Sequence, residues 1–199
     1  VVPKGKSAWT KEGLAWFRSY AKPLGKIKDI EQLWRGRLYT ELQTFEAISK
    51  ALKKVENKLD KLGSADSRIV RLQTIPGVGP RLSETVVAFL DDPKRFRNSK
   101  HVGSYAGLTP KQYQSGQMER QGGISGQGNR LLRNLLIEIS WSSVRHNRWA
   151  RDTYKKLLRG SKSRKKIAIT ALARKLLVKC WAMLRDHKDW KYDIKENAA

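Results

Sequence analysis

Two hydroxyl side chains, Ser115 and Ser125, stand in a polar, glycine-rich stretch that runs from Thr109 to Arg133, TPKQYQSGQMERQGGISGQGNRLLR. Gly116, Gly122, Gly123, Gly126 and Gly128 make its backbone pliant, and Lys111, Arg120, Arg130 and Arg133 make it basic. It leads directly into an apolar helical pattern, Leu131, Leu132, Leu135, Leu136 and Ile139. A loop of this kind feeding a helix N-terminus can seat a phosphate on backbone N–H groups. The same composition also fits a long surface loop with ordinary turn glycines. The elements that hold the stretch must decide between the two.

Charge narrows the choice of partner. The 199 residues carry 42 Lys+Arg against 18 Asp+Glu, a formal net charge of +24. Such a surface repels itself unless a polyanion neutralises it, so nucleic acid is the first partner to consider. An acidic membrane is the second, but no apolar run approaches the roughly 20 residues needed to span one, and no membrane role is expected. The first residues, VVPKGKSAWTKEG, have no apolar segment of a signal peptide. Cys180, the single cysteine, sits in a helical pattern and reads as a small buried hydrophobe, which suits a reducing interior. The chain begins at Val1; either an initiator Met was removed or this is a piece of something longer.

The predicted fold class is all-α: a long coiled-coil-like helix, then a compact helical domain with a helix-hairpin-helix motif and a glycine-rich loop. Residues 1–26 read as a linker or the remnant of an upstream domain, with a short helix over Thr10–Tyr20 capped by Thr10. Residues 27–63 read as one coiled-coil helix. Phe45, Ile48, Leu52, Val55, Leu59 and Leu62 alternate spacings of three and four, the seam of a coiled coil or helical hairpin. Gly63-Ser64 reads as its C-terminal stop. A homo-oligomer through this seam and an intramolecular partner are both permitted.

Residues 64–189 form the compact domain. A second helix starts over Ala65–Leu72 and is interrupted by Ile75-Pro76-Gly77-Val78-Gly79-Pro80 before RLSETVVAFL resumes helical spacing. That is the helix-hairpin-helix pattern, in which Gly77 and Gly79 let the turn approach a phosphodiester without reading its sequence. A tight αα turn that packs glycine on a neighbouring helix is the alternative; the charge balance favours nucleic acid. Asn98 or Ser99 is expected to cap a short helix. Later helices are expected at about Asn129–Val144, Trp149–Leu158 and Arg164–Leu184, the last with Ile167, Ala171, Leu172, Leu176 and Trp181 on its buried stripe. The segment before it and its other face carry Lys155, Lys156, Arg159, Lys162, Arg164, Lys165, Lys166, Arg174, Lys175 and Lys179, with almost no acidic residue between them. No metal site is read in the chain. Asp91 and Asp92 are adjacent, so on a helix they face about 100° apart, and His101 has no second His or Cys at metal spacing. The tail, residues 190–199, and the segment from Asp186 onward are expected to be loosely ordered.

Taken in order, these blocks resemble the C-terminal half of the DEDD-type insertion-sequence transposases, relatives of the Piv-type invertases. The matching blocks are the coiled-coil segment, LQTIPGVGPRLSETVVAFL, DPKRFRNSKHVGSYAGLTPKQYQSG, RQGGISGQGNRLLRNLL and KIAITALARKLLVKCWAMLRD. The resemblance covers Ile27 to about Asp189. It implies a two-part enzyme whose N-terminal RNase H-like domain brings four acidic residues that hold Mg²⁺. The part this chain resembles supplies a serine that becomes joined to DNA as a phosphoserine, and in part of the family a bridge RNA chooses the sites.

The family's serine lies in a Ser-Gly step after a Gly-Leu-x-Pro-(Arg/Lys)-Gln block, here Gly107-Leu108-Thr109-Pro110-Lys111-Gln112, which places it at Ser115. Ser125 is the second candidate nucleophile, and otherwise a cap for the following helix. A serine alkoxide beside a glycine can approach a phosphate in line, but it needs a base or metal to activate it and cations to stabilise the phosphorane-like charge. Lys111, Gln112, Arg120, Arg130 and Arg133 are the nucleic-acid ligands expected around it, joined by Arg164, Lys165 and Lys166. Nothing before Ile27 resembles the acidic domain, so the chain alone is expected to be inactive, with no cofactor of its own and Mg²⁺ implied for the full enzyme. DNA and a structured guide RNA are the expected partners, and the cytoplasm of a bacterium or archaeon, at the nucleoid, the expected location. The alternative is a non-catalytic helix-hairpin-helix module that grips DNA or structured RNA by its backbone.

Overall fold

The structure is a computed structural model that describes residues 2–115 and 118–191; the side chains of residues 112–121 lie outside that description. Among the described residues there are eight α-helices and one two-stranded sheet, as the all-α reading expects. The chain divides into two compact units, Val1–Leu59 and Asp60–Ala199.

In the first unit a 3-10 turn, Gly5–Trp9, leads into α1, Lys11–Tyr20. Thr10 caps α1 by accepting from the Gly13 N–H at 3.2 Å. The long helix, α2, spans Leu33–Ala65 and so starts later than the expected Ile27. Asp29 ends the preceding extended segment by accepting the Glu31 N–H at 3.0 Å, which turns Ile30–Gln32 into a 3-10 turn first. Phe45, Ile48, Leu52, Val55, Leu59 and Leu62 are all exposed along it.

Gly63-Ser64 does not stop α2. The helix runs on to Ala65, and Asp66 then caps α3, Ser67–Gln73, by accepting the Arg68 N–H at 2.8 Å. Gly63 is there for a close approach. A Cβ on it would lie 3.2 Å from Glu84 Oε1 and 3.5 Å from Ile69 Cγ2. After α3 come α4, Pro80–Leu90, and α5, Ser99–Tyr105. Asn98 caps α5 by accepting from Lys100 and His101. A hairpin follows, β1 Pro110–Ser115 and β2 Met118–Ile124, then α6 Arg130–His146, α7 Arg148–Leu158 and α8 Lys165–Asp186.

α8 is the centre of the second unit. Ile169, Leu172, Ala173, Leu176, Leu177, Cys180, Trp181 and Leu184 are buried in i, i+3, i+4 order; from Ala173 onward they pack with Leu72, Leu82, Val86, Leu90, Leu132 and Leu136, and Ile169 and Leu172 with Ala150 and Tyr154 of α7. Burying one leucine in such a core contributes about 1.5–3 kcal/mol. Of the expected stripe Leu172, Leu176 and Trp181 are buried, but Ile167 is 63% exposed and Ile169 takes its buried place. Burial pushes the Cys180 thiol up to about 12, so it behaves as the small hydrophobe expected.

The segment after Asp186 is tied down as far as Trp190. Trp190 donates its N–H to Thr74 Oγ1 at 3.0 Å and packs edge-on to Trp149, and Asp189 lies 3.4 Å from Arg71. The expectation of a loose segment here is therefore wrong up to Trp190, because an aromatic ring docks it. The rest of the tail, from Tyr192, lies outside the described residues.

Candidate functional site

The hairpin is mounted between two helix ends. α5 terminates on Gly107, whose φ is +66° and whose N–H donates to Ser104 O at 2.9 Å. From there Thr109 leads into β1. β2 returns to Ser125, which donates its N–H to Thr109 O at 2.7 Å, while Gly126 donates to Gly107 O at 3.3 Å. A Cβ on Gly107 would run into the carbonyl oxygen of Gln127, and one on Gly128 into that of Tyr105. With φ at +112° Gly128 is also in a region that side chains disfavour. The two glycines therefore let the outgoing and returning strands interlock. Asn129 then starts α6 by accepting the Leu132 N–H at 2.9 Å. Ser125 is not the cap expected of it, since Asn129 does that job four residues later and the Ser125 backbone is spent on the hairpin root.

The antiparallel register pairs Pro110 with Ile124, Gln112 with Gln121, Tyr113 with Arg120, Gln114 with Glu119 and Ser115 with Met118. It shifts between Pro110 and Gln112, opposite Gly122 and Gly123, where an extra residue bulges out. Ser115 is thus the last residue of β1, at the end of the hairpin away from its root. Its side chain, like those of Gln112 and Arg120, lies outside the described residues.

Of the expected cations, Lys111 and Arg130 are exposed, and Arg133 is half-buried. Arg133 donates from Nη1 to Ala106 O at 3.3 Å, which pins the end of α5 to the start of α6. Arg174, which the sequence reading left on a general basic face, also reaches the root. A Cβ on Gly103 would meet Arg174 Cδ at 3.2 Å and Thr109 Cγ2 at 3.6 Å, so the arginine stem and Thr109 flank the same glycine. No local spacing could have shown this, because α8 lies far along the chain from α5. Lys165 and Lys166 are exposed at the start of α8, together with Lys155, Lys156, Arg159 and Lys162 just before it. Arg164 is different: it is half-buried at the N-cap of α8, with its Nε enclosed and without a hydrogen-bond partner.

The two glycines of the α3–α4 turn differ as well. Gly77, at φ +86°, faces α6: a Cβ would lie 3.2 Å from Ser143 Cα. Gly79 has open space where a side chain would stand and is the N-cap of α4. Ser143 and Asn129 are at opposite ends of α6, roughly 20 Å apart at 1.5 Å per residue. The turn and the hairpin root are therefore separate features on one helix. Among the described residues no three His, Cys, Asp or Glu side chains gather into one cluster.

Residues 70–155 match the family described as Transposase IS116/IS110/IS902. That span takes in most of α3, the Gly77 turn, the hairpin, all of α6 and most of α7. Over 149 residues, 74% of it, the chain is 33% identical to a Pseudomonas aeruginosa protein described as "Probable family 20 transposase". It is 33% identical over 156 residues to the transposase for insertion sequence element IS1111A of Coxiella burnetii, with 77% of the chain covered. It is 32% identical over 128 residues to the pilin gene-inverting protein of Moraxella lacunata, with 63% covered. The chain spans less than half the length of each: 43%, 42% and 39%. The resemblance read from the sequence thus holds for a transposase domain of this family and for relatives named as transposases and a gene-inverting protein. Among the described residues no helix is long and apolar enough to cross a membrane.

Proposed function

We propose that this chain is the DNA-binding and strand-joining part of a transposase or site-specific recombinase, with Ser115 as its nucleophile. The observation that carries the reading is the family match over residues 70–155, which brackets the whole hairpin and the helix ends that root it. A root fixed by Gly107, Gly128 and Arg133 gives the hairpin a defined base, and preorganised placement is what in-line attack demands.

In this reading Ser115 Oγ bonds to a backbone phosphorus while one P–O bond to a deoxyribose breaks. The serine proton passes to a base and the departing sugar oxygen takes up a proton. The phosphoserine conserves the bond energy, and attack by a new sugar hydroxyl restores the serine and joins the strands. Lys111, Arg130 and Arg133 supply positive charge near the hairpin, and Lys165 and Lys166 hold flanking phosphates. The carboxylates that bind Mg²⁺ belong to an RNase H-like domain outside this chain, a structured guide RNA selects the DNA, and the exposed seam of α2 mediates self-association. The site of action is the nucleoid.

The test combines the chain with a protein carrying that acidic domain, Mg²⁺, a guide RNA and DNA. A covalent protein–DNA species should form, vanish with Ser115→Ala and persist with Ser125→Ala. The opposite pattern assigns the nucleophile to Ser125.

A further inference from the structure

The N-terminal unit presents a file of aromatic rings that the strand-joining reading does not use. Trp16 lies 4.5 Å from Tyr20 between ring centroids, Tyr20 lies 6.5 Å from Trp34, and the Arg35 guanidinium stands 5.7 Å from the Trp34 ring. Two hydrogen bonds tie the file in place. Arg35 donates from Nε to Tyr20 O at 2.7 Å, and Lys22 donates its N–H to Arg35 O at 3.2 Å, so the end of α1 is tied to the start of α2 at the rings themselves. Yet two of its rings are not covered: Trp34 is 53% exposed and Tyr20 40%, and Trp9 nearby in sequence is 69% exposed.

The surroundings indicate what would cover them. Lys11, Lys22, Lys26 and Lys28 are exposed on the segments that carry or connect the rings, against Glu12, Asp29 and Glu31. Protein–protein interfaces concentrate Trp, Tyr and Arg but exclude Lys. Exposed rings on segments that also carry exposed lysines are the pattern that stacks unpaired bases while neutralising their backbone.

We infer that the Tyr20–Trp34–Arg35 surface is a stacking platform for an unpaired DNA strand. This rests on the reading of the chain as a DNA-joining protein, in which strands are opened before they are exchanged. Stacking is blind to sequence because every base has a π-face, so the platform would hold a strand without selecting it.

The experiment measures binding of the full 199-residue chain to fluorescein-labelled oligo(dT) and, separately, to a fully paired DNA hairpin. Trp34→Leu should weaken oligo(dT) binding by roughly 5- to 100-fold, as expected for one lost stacking contact, and leave hairpin binding unchanged. Trp34→Phe should retain most of the affinity, and far-UV circular dichroism should match wild type for both. Equal oligo(dT) affinity in Trp34→Leu overturns the inference, as does an equal loss on paired DNA. A change in sedimentation with oligo(dT) affinity intact would make the surface a protein contact, and stronger binding of oligo(U) than oligo(dT) would make it an RNA site; either contradicts the proposal. Lys165→Gln/Lys166→Gln separates the two ideas. Loss of hairpin binding there, beside an unaffected Trp34→Leu, leaves the DNA-joining reading standing and removes only the platform.

Discussion

Ser125 donates its backbone N–H to the carbonyl of Thr109 at 2.7 Å. This bond closes the base of the hairpin, and the chain crosses itself directly beneath it at Gly107 and Gly128. Both glycines face a carbonyl oxygen where a side chain would begin, whereas Gly126, also at positive φ, faces open space.

Substitution at the three glycines should therefore give graded effects. Gly126→Ala carries only the left-handed penalty, about 1 kcal/mol. Gly107→Ala and Gly128→Ala add a backbone collision and should cost several-fold more, with faster proteolytic cleavage within residues 110–124. Chemical denaturation and limited trypsin digestion read both quantities. Equal effects at all three positions would mean that the strands do not interlock.

Gly77 and Gly79 should separate stability from binding. Gly77→Leu forces a side chain against the Ser143 backbone and should lower the melting temperature. Gly79→Leu fills open space and costs at most about 1 kcal/mol at an N-cap. If the turn touches DNA, Gly79→Leu weakens binding while the protein stays folded. Unchanged affinity removes the turn from the interface.

DNA affinity should fall steeply with salt, since each neutralised phosphate contributes roughly 0.9 to the slope of log K against log salt. Lys165→Gln and Lys166→Gln should each lower that slope by about 1 if each contacts one phosphate. A flat response in the wild type would favour a helical assembly protein over a nucleic-acid binder.

Acid should weaken the α2–α3 junction. Asp66 is held below the usual carboxylate range, first by its paired Arg68 guanidinium at 2.8 Å and then by the Arg68 backbone N–H. A lowered folded-state value means that this contribution is present above the unfolded value, about 3.9, and is lost as pH falls through the folded one. Asp66→Asn keeps a cap but not the charge, so its stability deficit should stay constant well above the unfolded value and shrink as pH falls through about 3.9 and on through the lowered folded one. A deficit independent of pH would show that the cap alone matters.

The seam of α2 should act between copies. Ile48→Glu with Leu52→Glu changes exposed positions, so helicity should be retained while the sedimenting mass falls. An unchanged mass would exclude this seam from self-association.

Helix positions were legible where apolar spacing and short polar caps are local: Thr10 and Asn98 declare themselves. What stayed hidden depended on contacts distant in sequence. Gly63 looked like a stop but lets Glu84 and Ile69 come close, and that Ser143 is the neighbour of Gly77 could not be read from local spacing. Ile167 fits the apolar pattern of α8 yet points outward, since packing against other helices, not periodicity alone, sets the buried face. The glycine-interlocked root of the serine hairpin was not legible either, because it depends on residues around 107 meeting those around 127.

The most direct test locates the DNA on the protein. Trypsin cuts after Lys111, Arg120 and Arg130, so Ser115 falls on the peptide from Gln112 to Arg120 and Ser125 on the peptide from Gln121 to Arg130. Mass spectrometry of the nuclease-trimmed covalent complex should find the phosphonucleotide on the first peptide, at Ser115. A nucleotide on the second peptide, or none on either, would contradict the assignment.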